Sequence, residues 1–161
     1  MGAKYLLDTN IFIRSKNELP MDIYESFWCA ISDLANKGLF YSSVKVKEEL
    51  ERGMDELPQW IKDNLPKDFF VPLDSSTMIK YAEVQNWASK ASFRPEALST
   101  FADVADAYLV AAAAVHDMVL VTYEKSDPIC KRRVMIPDAC TAIGVKCCDL
   151  NASFRILNVK I

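Results

Sequence analysis

Met118-Val119-Leu120-Val121-Thr122 is an uninterrupted, uncharged run rich in β-branched residues. A strand with one wet face alternates apolar and polar residues, whereas an unbroken run marks a strand covered on both faces. An alanine-rich helical stretch, Thr100 to His116, leads into it. A second short apolar run, Lys4–Leu7, opens the chain and stops at the polar turn Asp8-Thr9-Asn10. Strands that need cover on both faces and are separated by helices imply an α/β domain with a mainly parallel sheet. The remaining pattern agrees. From Asp22 to Lys37, apolar Ile23, Phe27, Ala30, Ile31 and Leu34 recur at helical spacing, stopped by Gly38. Leu39–Tyr41 is β-like, and Ser42-Ser43 caps a helix SVKVKEELERG that ends at Gly53. Pro58 and Pro66 bracket a short helix around Trp60 and Ile61. Phe69–Leu73 and Val145–Leu150 read as strands and Ser75 to Ala91 as a helix, while 151–161 is a terminal element without a readable pattern. At 161 residues the chain is expected to be one domain, 1–161.

Composition then narrows the chemistry. A hydrophobic share of 51% and a charged share of 25% are ordinary for a globular domain. A net charge of -3 argues against a basic nucleic-acid-coating module. The single histidine, His116, excludes a two-histidine acid/base pair, a His-rich zinc site and a Cys₂His₂ finger. Five cysteines (Cys29, Cys130, Cys140, Cys147, Cys148) without a CxxC support neither a disulfide framework nor a zinc ribbon. They read as buried or inert thiols in a reducing cytoplasm. The first apolar run is too short for a signal peptide and is interrupted by Asp8. No segment reaches the ~20 apolar residues of a membrane helix. A cytoplasmic protein without a membrane partner is the expectation, and any catalysis must run on carboxylates or a metal.

In open parallel sheets, ligands gather beyond the carboxyl ends of the strands, and acids stand at those places. Asp8 follows the first strand, and Glu124 follows MVLVT-Tyr123. Asp103 and Asp106, read within one helix, share a face at i, i+3 just before that strand. Glu48 and Glu49 lie on the helix after Leu39–Tyr41. Each has an ordinary reading as well. A strand-end Asp serves turns and caps, Glu48 and Glu49 fit a solvated face beside Lys45 and Arg52, and Asp103 favours a helix start. Asp106 is harder to explain, because no Lys or Arg lies within four residues of it. Converging carboxylates repel and raise one another's pKa. A divalent cation removes the conflict, and an all-oxygen donor set suits Mg²⁺ or Mn²⁺ rather than zinc. Such an ion polarises phosphoryl oxygens and activates water, so no histidine base is needed.

At these residues the sequence resembles PIN-domain ribonucleases, the fold of VapC-type toxins. LLDTNIFI is similar to their opening strand and turn. VKEEL resembles their second acidic position, with Glu49 as the match, and ADVADAYLVAAA their third, with Asp106 matching and Asp103 as an additional ligand. MVLVTYE resembles the strand that usually ends in Thr-x-Asp, with Glu124 in the last place. The stretch Thr122 to Asp149 resembles a PIN-like subfamily of prokaryotic proteins in which Glu takes that place and an Ile-Pro-Asp-x-Cys segment follows. The resemblance implies a three-layer α/β/α sandwich. It implies a Mg²⁺- or Mn²⁺-dependent endoribonuclease with catalytic and metal-binding Asp8, Glu49, Asp106 and Glu124. It also implies an RNA substrate, a protein antitoxin as partner, and a homodimer. Segment 54–73, rich in proline and aromatics, has no counterpart in the shortest members and is a candidate cover for the substrate groove.

On the substrate side, Lys125, Lys131, Arg132 and Arg133 cluster after Glu124, and Lys45 and Lys47 flank Glu49. Phosphate contacts from such a cluster make binding salt-dependent; a solvated basic loop is the plainer reading. Thr9 and Asn10 are candidates for contacts to Asp8 or a phosphate, or for caps of the next helix. Thr122 is a candidate for orienting water or simply a β-branched strand end, and Arg14 is a further phosphate candidate. His116 reads as a helix-end residue, and Trp28, Trp60 and Trp87 as core. The competing functional class is a PIN-like module that binds RNA or protein without cleaving it.

Overall fold

The computed structural model describes residues 2–161. Strand β1 (Tyr5–Leu7) lies at its centre with all its side chains buried. It pairs in parallel with β2 (Phe40–Ser43) on one side and β4 (Val119–Val121) on the other. Two short strands, β3 (Phe70–Val71) and β5 (Cys147–Cys148), extend the sheet to the order β3-β2-β1-β4-β5, parallel throughout. Chain order reverses between β1 and β4. The connections there leave in opposite directions, which opens a crevice at the carboxyl ends of those two strands.

Helices complete a three-layer α/β/α sandwich. Helix α7 (Asp106–His116) packs on β2 and β4, flanked by α5 (Ser75–Lys90) and α8 (Ile136–Ile143). Its Ala107, Ala111, Ala112 and Ala113 are buried, and side chains that small let the helix lie close on the sheet. Elsewhere α2 (Glu25–Asn36) covers β2, and Phe154 of α9 (Leu150–Ile156) stacks on Phe40 at 6.3 Å and meets Phe27 of α2. The buried stripe of α2 is Phe27, Trp28, Ile31, Leu34 and Ala35. Ile23, counted in that stripe from the sequence, lies before the helix and is 70% exposed. Gly38 follows at φ +71°, a conformation that side chains with a Cβ rarely adopt. Trp28 is core, and Trp60 and Trp87 pack partly buried against it.

The expected single helix from Thr100 to His116 is two. Helix α6 (Pro95–Asp103) ends, Val104 takes an extended conformation (ψ 169°), and α7 leaves at 61°. At the break the Ala105 N–H donates to the Glu49 carboxylate at 2.7 Å, a partner 56 positions away. The i, i+3 relation of Asp103 and Asp106 is thereby lost. Asp103 is exposed at the end of α6, and Asp106 occupies the first turn of α7 rather than a helix body.

Segment 54–73 builds α4 (Leu57–Asn64) and β3 at the sheet edge, with Trp60 on Trp28 at 5.1 Å. A groove of about 570 Å³ runs between α4 and α3 (Val44–Glu51). The thiols are not uniformly buried: Cys140 is buried, Cys29 exposed and the others intermediate. Among the described residues, no single helix is long and apolar enough to cross a membrane.

Candidate metal centre

Asp8 follows β1 and precedes α1 (Thr9–Glu18); its side chain does not cap that helix. Its Oδ2 accepts instead from Thr122 Oγ1 at 2.9 Å, across the β1–β4 boundary. Thr122 Oγ1 in turn accepts the Glu124 N–H at 3.1 Å. One buried hydroxyl therefore links the acids that follow two neighbouring strands, and both Asp8 and Thr122 are 1% exposed. Parallel pairing of Leu7 with Val121 sets Asp8 level with Thr122, so this link follows from strand register.

The second acid comes from α3. Ser43 caps this helix by accepting the Lys45 N–H. One position apart on it, Glu48 turns outward to Lys45 at 3.4 Å, whereas Glu49 turns inward. Glu49 Oε2 accepts from Thr9 Oγ1 at 2.8 Å and Oε1 from the Ala105 N–H. Glu124 is engaged just as fully. Its Oε1 accepts the Ile136 N–H at the start of α8 (3.0 Å), and its Oε2 accepts from Arg133 Nη2 at 2.7 Å.

The two aspartates differ. Burial, with the negative charges of Glu124 and Glu49, pushes Asp8 up to about 6 against the Thr122 hydrogen bond. Burial, then the charges of Asp8, Glu124 and Glu49, pushes Asp106 up to about 8, with Arg133 opposing. Both aspartates therefore feel the charges of Glu49 and Glu124, which come from other chain segments. Asp103, expected as an additional ligand beside Asp106, is an exposed residue at the end of α6 and shares no helix face with Asp106.

The donor chemistry fits a hard divalent cation, being all carboxylate oxygen. Aspartates whose charge is disfavoured by burial and mutual repulsion are the groups a cation would return to the ionised state. Among the described residues, however, no three such side chains close around one ion position. Both oxygens of Glu49 and of Glu124 are held by protein donors.

The basic candidates divide. Arg14 lies over the Tyr123 ring at 4.7 Å and bonds Glu18. With Lys125 it borders a groove of about 800 Å³ that reaches Glu124. Arg132 and Arg133 rim a recess of about 160 Å³ on the other side, beside Thr100 and Asp106. Lys45, on the same helix as Glu49, sits over Tyr108 of α7 at 4.9 Å. Lys131 is drawn away, its Nζ bonding the Ala91 carbonyl and lying over Phe93. Thr9 is a helix residue that holds Glu49 rather than a cap, and Asn10 is exposed beside it. Tyr123 escaped the sequence reading; its hydroxyl meets Ser15 at 2.9 Å. Its place between Thr122 and Glu124 was the available signal.

A family model described as a domain of unknown function (DUF4411) matches residues 5–161. No functionally curated protein matches significantly. Among solved structures, FitAcB from Neisseria gonorrhoeae is similar at 19% identity and a TM-score of 0.53, over 89% of this chain and 95% of that one. VapBC2 from Rickettsia felis, bound to a DNA fragment from its promoter, is similar at 18% identity and a TM-score of 0.48, over 73% and 85%. The FitAcB likeness is one of fold, and the fold is PIN-like.

Proposed function

The chain belongs to the DUF4411 family, and from that premise we propose that it is a Mg²⁺- or Mn²⁺-dependent endoribonuclease, the toxin of a toxin–antitoxin pair. The observation that carries this reading is the gathering of carboxylates at the carboxyl ends of β1 and β4, where the Thr122 hydroxyl joins Asp8 to Glu124 and the charges of Glu124 and Glu49 bear on both buried aspartates. Those four would hold the cation, which supplies charge neutralisation and polarisation of a phosphoryl oxygen and of water. Thr122 orients Asp8, and Thr9 with the Ala105 N–H orients Glu49. Arg14 and Lys125 border the groove that reaches Glu124, Arg132 and Arg133 the recess beside Asp106, and these four would contact an RNA backbone. The toxin role and a protein antitoxin rest on the motif likeness to VapC-type toxins.

The test is RNA cleavage by the purified chain with Mn²⁺, with sequencing of the ends. Expected are internal cuts that EDTA abolishes and growth arrest on expression in cells. Cleavage that persists in excess EDTA overturns the reading. A second reading, a PIN-like binding module without cleavage, is favoured by one observation, the full engagement of Glu49 and Glu124 by protein donors. RNA binding without cleavage at millimolar Mn²⁺ would select it.

A further inference from the structure

Glu124 and Arg133 form an ion pair whose members have unequal freedom. The Glu124 side chain is 9% exposed, whereas that of Arg133 is 55% exposed. The loop that carries Arg133 is pinned at several points. Asp138 accepts from the Ser126 hydroxyl and the Asp127 N–H, Lys131 bonds the Ala91 carbonyl, and Arg94 donates its N–H to the Lys131 carbonyl. The guanidinium can therefore leave without unfolding its loop. Glu124 is anchored separately, since its Oε1 takes the Ile136 N–H and its own N–H goes to Thr122. Loss of Arg133 would leave the carboxylate in place with Oε2 free. Arg133 also borders the recess that reaches Asp106. One exposed positive group thus borders two acids of the cluster and occupies an oxygen that a cation would need.

We infer that Arg133 is an internal counter-ion that holds Glu124 in the cation-free protein and is displaced when a divalent cation binds, turning outward beside Arg132 to face a phosphate. The exchange breaks one Nη2–Oε2 contact and forms one oxygen–cation contact, with no covalent change. This rests on the metal reading above.

The experiment is calorimetric titration of Mn²⁺ into the full chain and its variants without RNA, so the readout is independent of cleavage. Arg133→Gln removes the competitor and should bind Mn²⁺ about tenfold tighter, the equivalent of roughly 1.4 kcal/mol. Arg132→Gln removes the same charge without the ion pair and should stay within about twofold of the parent, a shift of under half a kcal/mol. Unchanged or weaker binding by Arg133→Gln, or an equal gain in Arg132→Gln, overturns the inference. Should Arg133→Gln fail to fold, Arg133→Lys, which keeps the charge and loses the planar fork, should bind about threefold tighter; no gain overturns the inference. Asp106→Asn distinguishes the two levels. If it binds Mn²⁺ like the parent, the metal reading itself fails. If it loses Mn²⁺ while Arg133→Gln gains nothing, only the counter-ion role fails.

Discussion

The two aspartates and the two glutamates of the cluster are held in opposite ways. Asp8 and Asp106 stand on the parallel core, at the end of β1 and the start of α7, where burial and neighbouring negative charge push their pKa values up. Glu49 and Glu124 have both oxygens engaged by protein donors. The aspartates, here the inner pair, are electrically unsatisfied, and the glutamates, here the outer pair, are hydrogen-bonded. Such a cluster carries its electrostatic cost in the inner pair and its architecture in the outer one. Glu49 takes the Ala105 N–H at the break between α6 and α7, and Glu124 meets the start of α8.

That contrast can be broken most severely through cleavage. Asp8→Asn and Asp106→Asn should each lower Mn²⁺-dependent RNA cleavage by at least about a thousandfold, as expected for loss of a catalytic metal site, while circular dichroism shows a folded chain. Full activity in either variant removes the inner pair from the chemistry.

A second effect concerns pH and stability in EDTA. The native aspartates hold protons up to about 6 and about 8, whereas unfolded aspartate releases them near 3.9. The native state therefore binds more protons across that window, so stability falls as pH rises from about 4 to about 8. Each titrating acid contributes at most about 1.4 kcal/mol per pH unit. Chemical denaturation at pH 5 and pH 8 checks the sign. Asp106→Asn should flatten the profile and be more stable than the parent at pH 8.

Mn²⁺ should raise the melting temperature by several degrees, since a ligand at 100 times its Kd adds about 2.7 kcal/mol. No shift at millimolar Mn²⁺, or an equal shift in Asp106→Asn, counts against the site.

The smallest effect falls on the outer pair. Thr9→Val removes one donor from Glu49 and should cost about 1 kcal/mol, or roughly 2–4 °C in a domain of this size, while Thr9→Ser retains the bond and most of the stability. If Thr9→Val matched the activity loss of Asp106→Asn, the division between inner and outer acids would be wrong.

Much of this was legible in the chain. The Lys4–Leu7 and Met118–Thr122 runs became β1 and β4, and the Ser75 helix begins where expected, with Asp74 accepting the Thr77 N–H. Other features were not legible because their causes are distant in sequence. Nothing at Val104-Ala105 breaks a helix; neither residue is Gly or Pro, and the break is tied to a carboxylate on α3. That is why Asp103 was grouped with Asp106 and why the two part in the fold. The basic residues after Glu124 read as one cluster, for phosphate or simply for solvent, but Lys131 is held by a backbone carbonyl and Arg133 by Glu124.

By itself, then, the sequence determined the parallel α/β plan and which acids stand at strand ends. Unbroken apolar runs must be covered on both faces, and chain order alone puts Asp8 and Glu124 after two of them. The tertiary structure decided which acids meet and in what electrical state. Strand register brought Thr122 to Asp8, the bend between α6 and α7 brought Asp106 in and left Asp103 out, and the β4–α8 loop set Arg133 on Glu124. Those outcomes depend on ångström-scale distances and on burial, because charge interactions strengthen as water is excluded, and spacing along a chain fixes neither.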